Sequence, residues 1–212
     1  MKFMEKKIVL KSCSESEYPD LEVTCKYIKN EDIASYLTTI SDDDKFYATK
    51  TACVIAKEGK AGEKVHTKLF TTVGGKKYIL HEEDGTVKER VMPDGSKKND
   101  MVVTNVNSTS NERYVVDITG FDKKYKDLGD GFYEPTIDYR MVVRVPENVM
   151  IETCWGEPAI ALKGSFIVVY DEATNDYNTV EAGAFYSTYE TVPTYVDDNA
   201  KINSKQKKKT NN

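Results

Sequence analysis

Histidine and tryptophan are scarce in this chain, and the short motifs that usually mark catalytic or metal chemistry are missing. The only histidines are His66 and His81, and four cysteines stand at positions 13, 25, 53 and 154 with no C-x-x-C pairing. Structural zinc is held by closely spaced pairs of nitrogen and sulfur ligands, and the nearest approach here, the two histidines with Cys53, has no such spacing. A serine nucleophile has no G-x-S-x-G elbow to sit on. Gly74-Gly75-Lys76 lacks the leading glycine and the closing Ser or Thr of a phosphate loop, and Asp127–Gly131 with Glu134 lacks the ligand alternation of a calcium loop. No metal or cofactor is therefore expected. Cys154 stands beside Trp155 without a base or positive charge in its local sequence, so a buried apolar role is its default.

Long apolar runs are missing too. Nothing approaches the roughly 18 consecutive apolar residues of a membrane helix, and the first ten residues contain only a three-residue apolar run where a secretory segment needs more. With unpaired cysteine spacing, the expectation is reduced thiols, a cytoplasmic location and no membrane partner.

What is present favours β structure. Hydrophobic residues make up 39% of the chain and charged residues 31%, a balance that suits thin β layers with much exposed surface. Fourteen tyrosines stand against seven phenylalanines and one tryptophan. Tyrosine suits half-buried strands because the ring packs while the hydroxyl reaches water, and it is also enriched at binding surfaces. The net charge of −5 divides unevenly, residues 196–212 carrying five Lys and two Asp. The tail is read as a disordered basic end. The remaining acidic body argues against specific nucleic-acid binding, which needs clustered Lys and Arg.

Along the chain, Lys7–Leu10 is β-rich and Leu21–Cys25 alternates apolar with polar. Asn30 is placed as a helix N-cap, with Glu31 and Asp32 in the first turn. Ile33, Tyr36, Leu37 and Ile40 then recur at helical spacing until Ser41–Asp44 ends the element. Thr51–Ala56 reads as a buried strand and Val65–Leu69 as an alternating one. A hairpin is expected over 76–92 with its turn at Asp84-Gly85, and Pro93-Asp94-Gly95 marks a further turn. Gly129-Asp130-Gly131 with Pro135 reads as a junction.

Two stretches resemble each other. Asp100–Thr104, a polar loop, Arg113–Asp117, then Phe121 and Tyr125 run parallel to Ser165–Tyr170, a polar loop, Asp176–Val180, then Phe185 and Tyr189. Phe and Tyr four residues apart share one face of a short helical turn. Asn99 and Gly164, the residue types that best accept a left-handed backbone, precede the two strands. Upstream, Lys50–Ile55 is matched to Asp138–Val143, and Lys64–Thr67 to Val149–Thr153. The expected fold class is mainly β (α+β): two related antiparallel β modules, each with a short helix, plus an N-terminal strand-helix segment. The expected boundaries are 1–45, 46–128 with a hairpin insertion, 136–192, and the tail 196–212.

Phe166–Tyr170 and Phe185–Glu190, with Trp155-Gly156-Glu157 ahead of them, resemble the small bacterial and phage domains of the PGDYG-motif family. The motif itself is degraded, Lys98–Met101 keeping only the Asp and Lys163–Phe166 only the Gly, and the likeness covers about half the chain. It implies a phage or bacterial accessory protein and transfers no catalytic residue.

The expected function is a non-catalytic binding protein. Trp155, with Glu157 beside it, can anchor a partner or stack on a planar ligand, or it can plug the contact between the two modules. Arg140 and Arg113 can clamp an anion or pair with neighbouring acids, and Tyr177 completes the candidate set. The expected partner is an unknown protein or a small polar, nucleotide-like molecule bound between the modules, with self-association left open. Two alternatives stand beside it: a small metal-dependent enzyme acting on a nucleotide or phosphate compound through acids such as Asp42 or Asp44, and a phage structural component.

Overall fold

Strand follows strand along this chain because short alternating apolar runs are cut by turns, and the computed structural model describes residues 3–106 and 112–192. The tail at 196–212 lies outside the described residues. Strand β1 (Met4–Ser12) turns back on β2 (Leu21–Ile28) as an antiparallel pair, Ile8 opposite Val23. A 3-10 turn over Asn30–Asp32 then leads into helix α1 (Ile33–Thr38). Asn30 does not cap it. Its side-chain amide donates instead to the carbonyls of Glu152 at 3.1 Å and Asn175 at 2.9 Å, tying the helix start to distant loops. Ile33, Tyr36, Leu37 and Ile40 are all buried, as their spacing predicts, against Ile28, Val143, Ile151 and Ile167.

Strand β3 (Lys45–Lys50) and strand β4 (Val54–Glu58) follow. The buried strand expected over 51–56 thus begins at Val54, and residues 51–53 carry the chain from one sheet to another. The hairpin expected at 76–92 is displaced. Strand β5 (Lys64–Val73) and strand β6 (Lys76–Thr86) form a long antiparallel pair that turns at Gly74-Gly75. Both glycines have positive φ, 57° and 76°, which is what a tight two-residue hairpin turn demands. Asp84 and Gly85 lie within the ladder, opposite His66 and Val65. Strand β7 (Glu89–Val91) and strand β8 (Lys97–Asn99) are joined by the predicted Pro93-Asp94-Gly95 turn, with Gly95 at φ 80°.

Next come β9 (Met101–Asn105), β10 (Arg113–Val116), α2 (Ile118–Lys124), β11 (Tyr125–Gly129) and β12 (Phe132–Pro135). Gly129-Asp130-Gly131 is the hairpin turn between β11 and β12, not a junction between modules. The crossing to the next sheet is made at 136–139. The chain continues through β13 (Arg140–Arg144), β14 (Val149–Glu152), β15 (Pro158–Ala161), β16 (Phe166–Asp171), β17 (Asp176–Val180), α3 (Ala182–Thr188) and β18 (Tyr189–Thr191).

The result is a mainly β, α+β fold. A six-stranded sheet runs β15-β14-β2-β1-β6-β5, and two five-stranded sheets run β10-β9-β4-β12-β11 and β17-β16-β13-β3-β18. Only β14 and β2 pair in parallel among the described strands. The two five-stranded sheets match strand for strand. Setting Met101 equivalent to Phe166 and stepping along the hydrogen-bonded partners brings Val116 onto Val180, Val54 onto Arg140 and Tyr125 onto Tyr189. The upstream match drawn from sequence, Val54 to Val142, is therefore two residues out of register. Gly164 has the left-handed φ of 87°, while Asn99 does not, being extended in β8. The fourth strands arrive differently: β3 comes from far upstream to lie beside β13, whereas β12 reaches its place beside β4 through its hairpin with β11.

The sheets close round a common interior. Edge strand β5 packs on edge strand β10, where the Thr67 hydroxyl donates to the Arg113 carbonyl at 2.9 Å, and β15 packs on β17. No helix of the described residues is long and apolar enough to cross a membrane.

Candidate functional site

Where the three sheets meet they enclose a cavity of about 410 Å³. Its exposed wall residues, Glu83, Trp155, Glu157 and Pro158, mark the side open to solvent. Trp155 is held there by a closed turn between β14 and β15. The Thr153 amide and hydroxyl donate to the Glu157 carbonyl at 2.9 and 2.7 Å, the Glu157 amide donates back to the Thr153 hydroxyl at 3.2 Å, and Gly156 takes φ 88°. The indole is 53% exposed, so its face is available at the mouth.

The inner wall is polar and comes from strand ends. Lys50 closes β3, Asn105 closes β9, and Glu112 and Tyr114 stand at the start of β10. Asn105 is the hub. Its amide group donates to the Glu112 carboxylate at 3.0 Å. Its carbonyl accepts from the Lys50 ammonium at 3.4 Å and from the Tyr114 hydroxyl at 3.4 Å. The same ammonium lies 3.4 Å from the Tyr125 hydroxyl and 3.5 Å from that of Tyr114.

Burial governs the titration of this wall. It pushes the Glu112 carboxyl above its ordinary value against the pull of Asn105 and Lys50, because a charge removed from water loses solvation. The hydroxyls of Tyr114, Tyr189 and Tyr170 are likewise pushed up by burial and stay protonated as donors. Two further acids reach the cavity with fixed tasks. Glu181 caps α3 by accepting from the Ala184 amide at 2.9 Å, and Glu83 lies 3.4 Å from the His81 ring.

Of the five residues singled out from sequence, Trp155 and Glu157 line the cavity. Arg140 stands one residue behind it. Its guanidinium pairs with Asp138, donates to the Tyr170 carbonyl and lies 4.9 Å from the Tyr170 ring, and Tyr170 is itself part of the wall. Arg113 points away and pairs with Glu63 at 3.2 Å, though its neighbours Glu112 and Tyr114 face in. Tyr177 is fully buried in the core beneath α1. Lys50, Asn105, Glu112 and Tyr114 carried no signal in the sequence, since three separate strands bring them together.

Asp44, a metal candidate in the enzyme alternative, is engaged by Arg144 at 2.6 Å. Among the described residues, no three His, Cys, Asp or Glu side chains are grouped to hold a metal ion. The wall thus offers carboxylate acceptors, hydroxyl donors, one ammonium and an aromatic face. Compared with family profiles, curated proteins and solved structures, the chain matches none.

Proposed function

We propose that this protein is a non-catalytic binder that takes a small polar, nucleotide-like ligand into the cavity between its three sheets. The observation carrying this reading is the cavity itself: about 410 Å³, within the roughly 300–1,000 Å³ of ligand pockets, with an aromatic mouth and a few convergent polar groups. The polar interior is already organised around Asn105, so little ordering is needed when a ligand enters. The likeness to PGDYG-motif domains supports a bacterial or phage accessory role, acting in a cytoplasm.

Mass spectrometry of small molecules released from the purified protein tests this directly. The wild type is expected to release a bound compound that Trp155→Ala no longer retains. Equal recovery from both proteins would remove the cavity from the account. So would capture of a protein partner indifferent to the substitution, which would move binding to the outer surface.

A further inference from the structure

We infer that the outer face of the sheet β10-β9-β4-β12-β11 docks a second copy of this chain, giving a two-fold symmetric dimer. The surface is separate from the cavity and does not depend on what binds there.

Exposed apolar residues in four neighbouring strands are the first reason. Ile55 in β4 stands directly opposite Phe132 in β12, and the two are 41% and 44% exposed. Val106, just past β9, and Leu128, in β11, flank the pair at 41% and 50% exposure. The residues between them in sequence, Val54, Ala56 and Tyr133, turn inward to pack with Phe121, so the strand alternation leaves Ile55 and Phe132 outside. Apolar side chains exposed singly are ordinary, but these four together present roughly 300–400 Å², a patch of the size that marks an interaction site.

The other five-stranded sheet has the same face covered. Ile55, Thr104 and Arg113 correspond there to Met141, Val169 and Tyr177, and these pack beneath Ile33, Tyr36 and Leu37 of α1. Part of the first face is closed as well, where Val102 and Val115 meet Val65 of β5 and Val87 just beyond β6. The Ile55–Phe132 patch carries that buried contact on into solvent.

Charge selects a second copy as the occupant. The two-residue period of a strand puts Lys57 on the face of Ile55 and Glu134 on the face of Phe132. Because β4 and β12 are antiparallel, the two charges stand on opposite sides of the apolar pair. A two-fold axis lying across the strands at Ile55 and Phe132 sets Lys57 of one copy over Glu134 of the other, and the reverse, the reciprocity of an isologous interface. Lys57 is exposed and has no ion pair among the described residues. Glu134 meets Lys126 at 2.8 Å, and a carboxylate accepts several donors. A partner carrying one sign of charge would be drawn to one flank and repelled by the other. A pleated face also suits its own copy, since sheets pack face to face with their strands nearly aligned. The patch is smaller than the about 800 Å² per partner of a standard interface, so the dimer is expected to be weak and to come apart on dilution.

Sedimentation equilibrium of the full chain, from micromolar to millimolar concentration, tests this. The wild type is expected to shift from monomer to dimer across that range, and Phe132→Ser to remain monomeric with an unchanged circular dichroism spectrum. Lys57→Glu and Glu134→Lys, both at the surface, should each weaken self-association about tenfold or more by setting like charges face to face. An equal mixture of these two variants should associate again, because each then offers the sign the other lacks. A wild type monomeric throughout, a dimer indifferent to Phe132→Ser, or a mixture no stronger than its separate components would each overturn the assignment. A foreign protein that binds this face while the wild type alone stays monomeric would overturn it too.

Discussion

Tyr125 and Tyr189 occupy the same position in the two five-stranded sheets. Each opens the strand that follows a seven-residue helix, and each pairs across the ladder with the last residue of its neighbour strand, Pro135 in the other arm of the hairpin and Lys50 in the distant β3 respectively. Each ring stacks on the phenylalanine four residues earlier, Phe121 at 4.7 Å and Phe185 at 4.9 Å between centroids. The helix thus places an aromatic plug under its sheet, and the next residue along that face begins the edge strand. At Tyr189 and its strand partner Lys50 this edge becomes cavity wall, so the packing device and the candidate site share residues.

That equivalence predicts unequal costs for equal truncations. Phe121 and Phe185 are both 1% exposed, and removing either ring should cost about 3–5 kcal/mol. Phe185 is more heavily engaged, stacking on Phe166 at 4.0 Å and meeting Phe46 and Tyr186 edge-on, whereas Phe121 meets Tyr133 besides Tyr125. Phe185→Ala is therefore expected to lower the urea midpoint more than Phe121→Ala. The reverse order in equilibrium unfolding would refute the aromatic account of the two cores.

The parts of the fold that could be read from sequence are those whose signal is local. Ile33, Tyr36, Leu37 and Ile40 announce a buried helix face through spacing alone, and Pro93-Asp94-Gly95 announces a turn through backbone preference. Asp84-Gly85 has the same kind of signal and is misread, because Gly74-Gly75 makes the turn ten residues earlier. Trp155 and Glu157 could be read as candidates because they share one turn. Lys50, Asn105 and Glu112 could not, since each is an ordinary strand-end residue until three strands converge.

Gly85 has a packing reason that no local pattern carries. A Cβ built there would lie 3.1 Å from Val115 Cγ2, across the contact between the six-stranded sheet and β10. Gly85→Ala is expected to destabilise by about 1–2 kcal/mol through overpacking. Adding Val115→Ala should recover part of that loss, a coupling visible in a double-mutant cycle of denaturation free energies. Strict additivity would show that the two sheets do not press together at this point.

Arg90 joins two acids of different burial. Its guanidinium bonds Asp100, whose side chain is 3% exposed, at 2.9 Å and reaches Asp117, the cap of α2, at 2.8 Å. Arg90→Leu leaves the buried Asp100 carboxylate with the Lys88 amide at 3.1 Å and no cation beside it, and should cost about 3 kcal/mol. Arg90→Leu with Asp100→Leu is expected to be less destabilised than the single variant. If the double variant unfolds at lower urea than the single, the buried charge is not the cause.

Glu112 carries a largely buried carboxyl in the cavity wall. Burial raises its carboxyl above the ordinary 4.5, so the folded protein holds this proton more tightly than the unfolded chain does. Its contribution to stability is then full below 4.5 and is lost as pH rises through the folded value. Glu112→Gln removes the charge while keeping a group of the same length beside Asn105. The variant should unfold at higher urea than the wild type near neutral pH, with the difference closing as pH falls towards 4.5. A wild type more stable than the variant at neutral pH would mean that Lys50 and Asn105 more than offset the burial of the carboxylate.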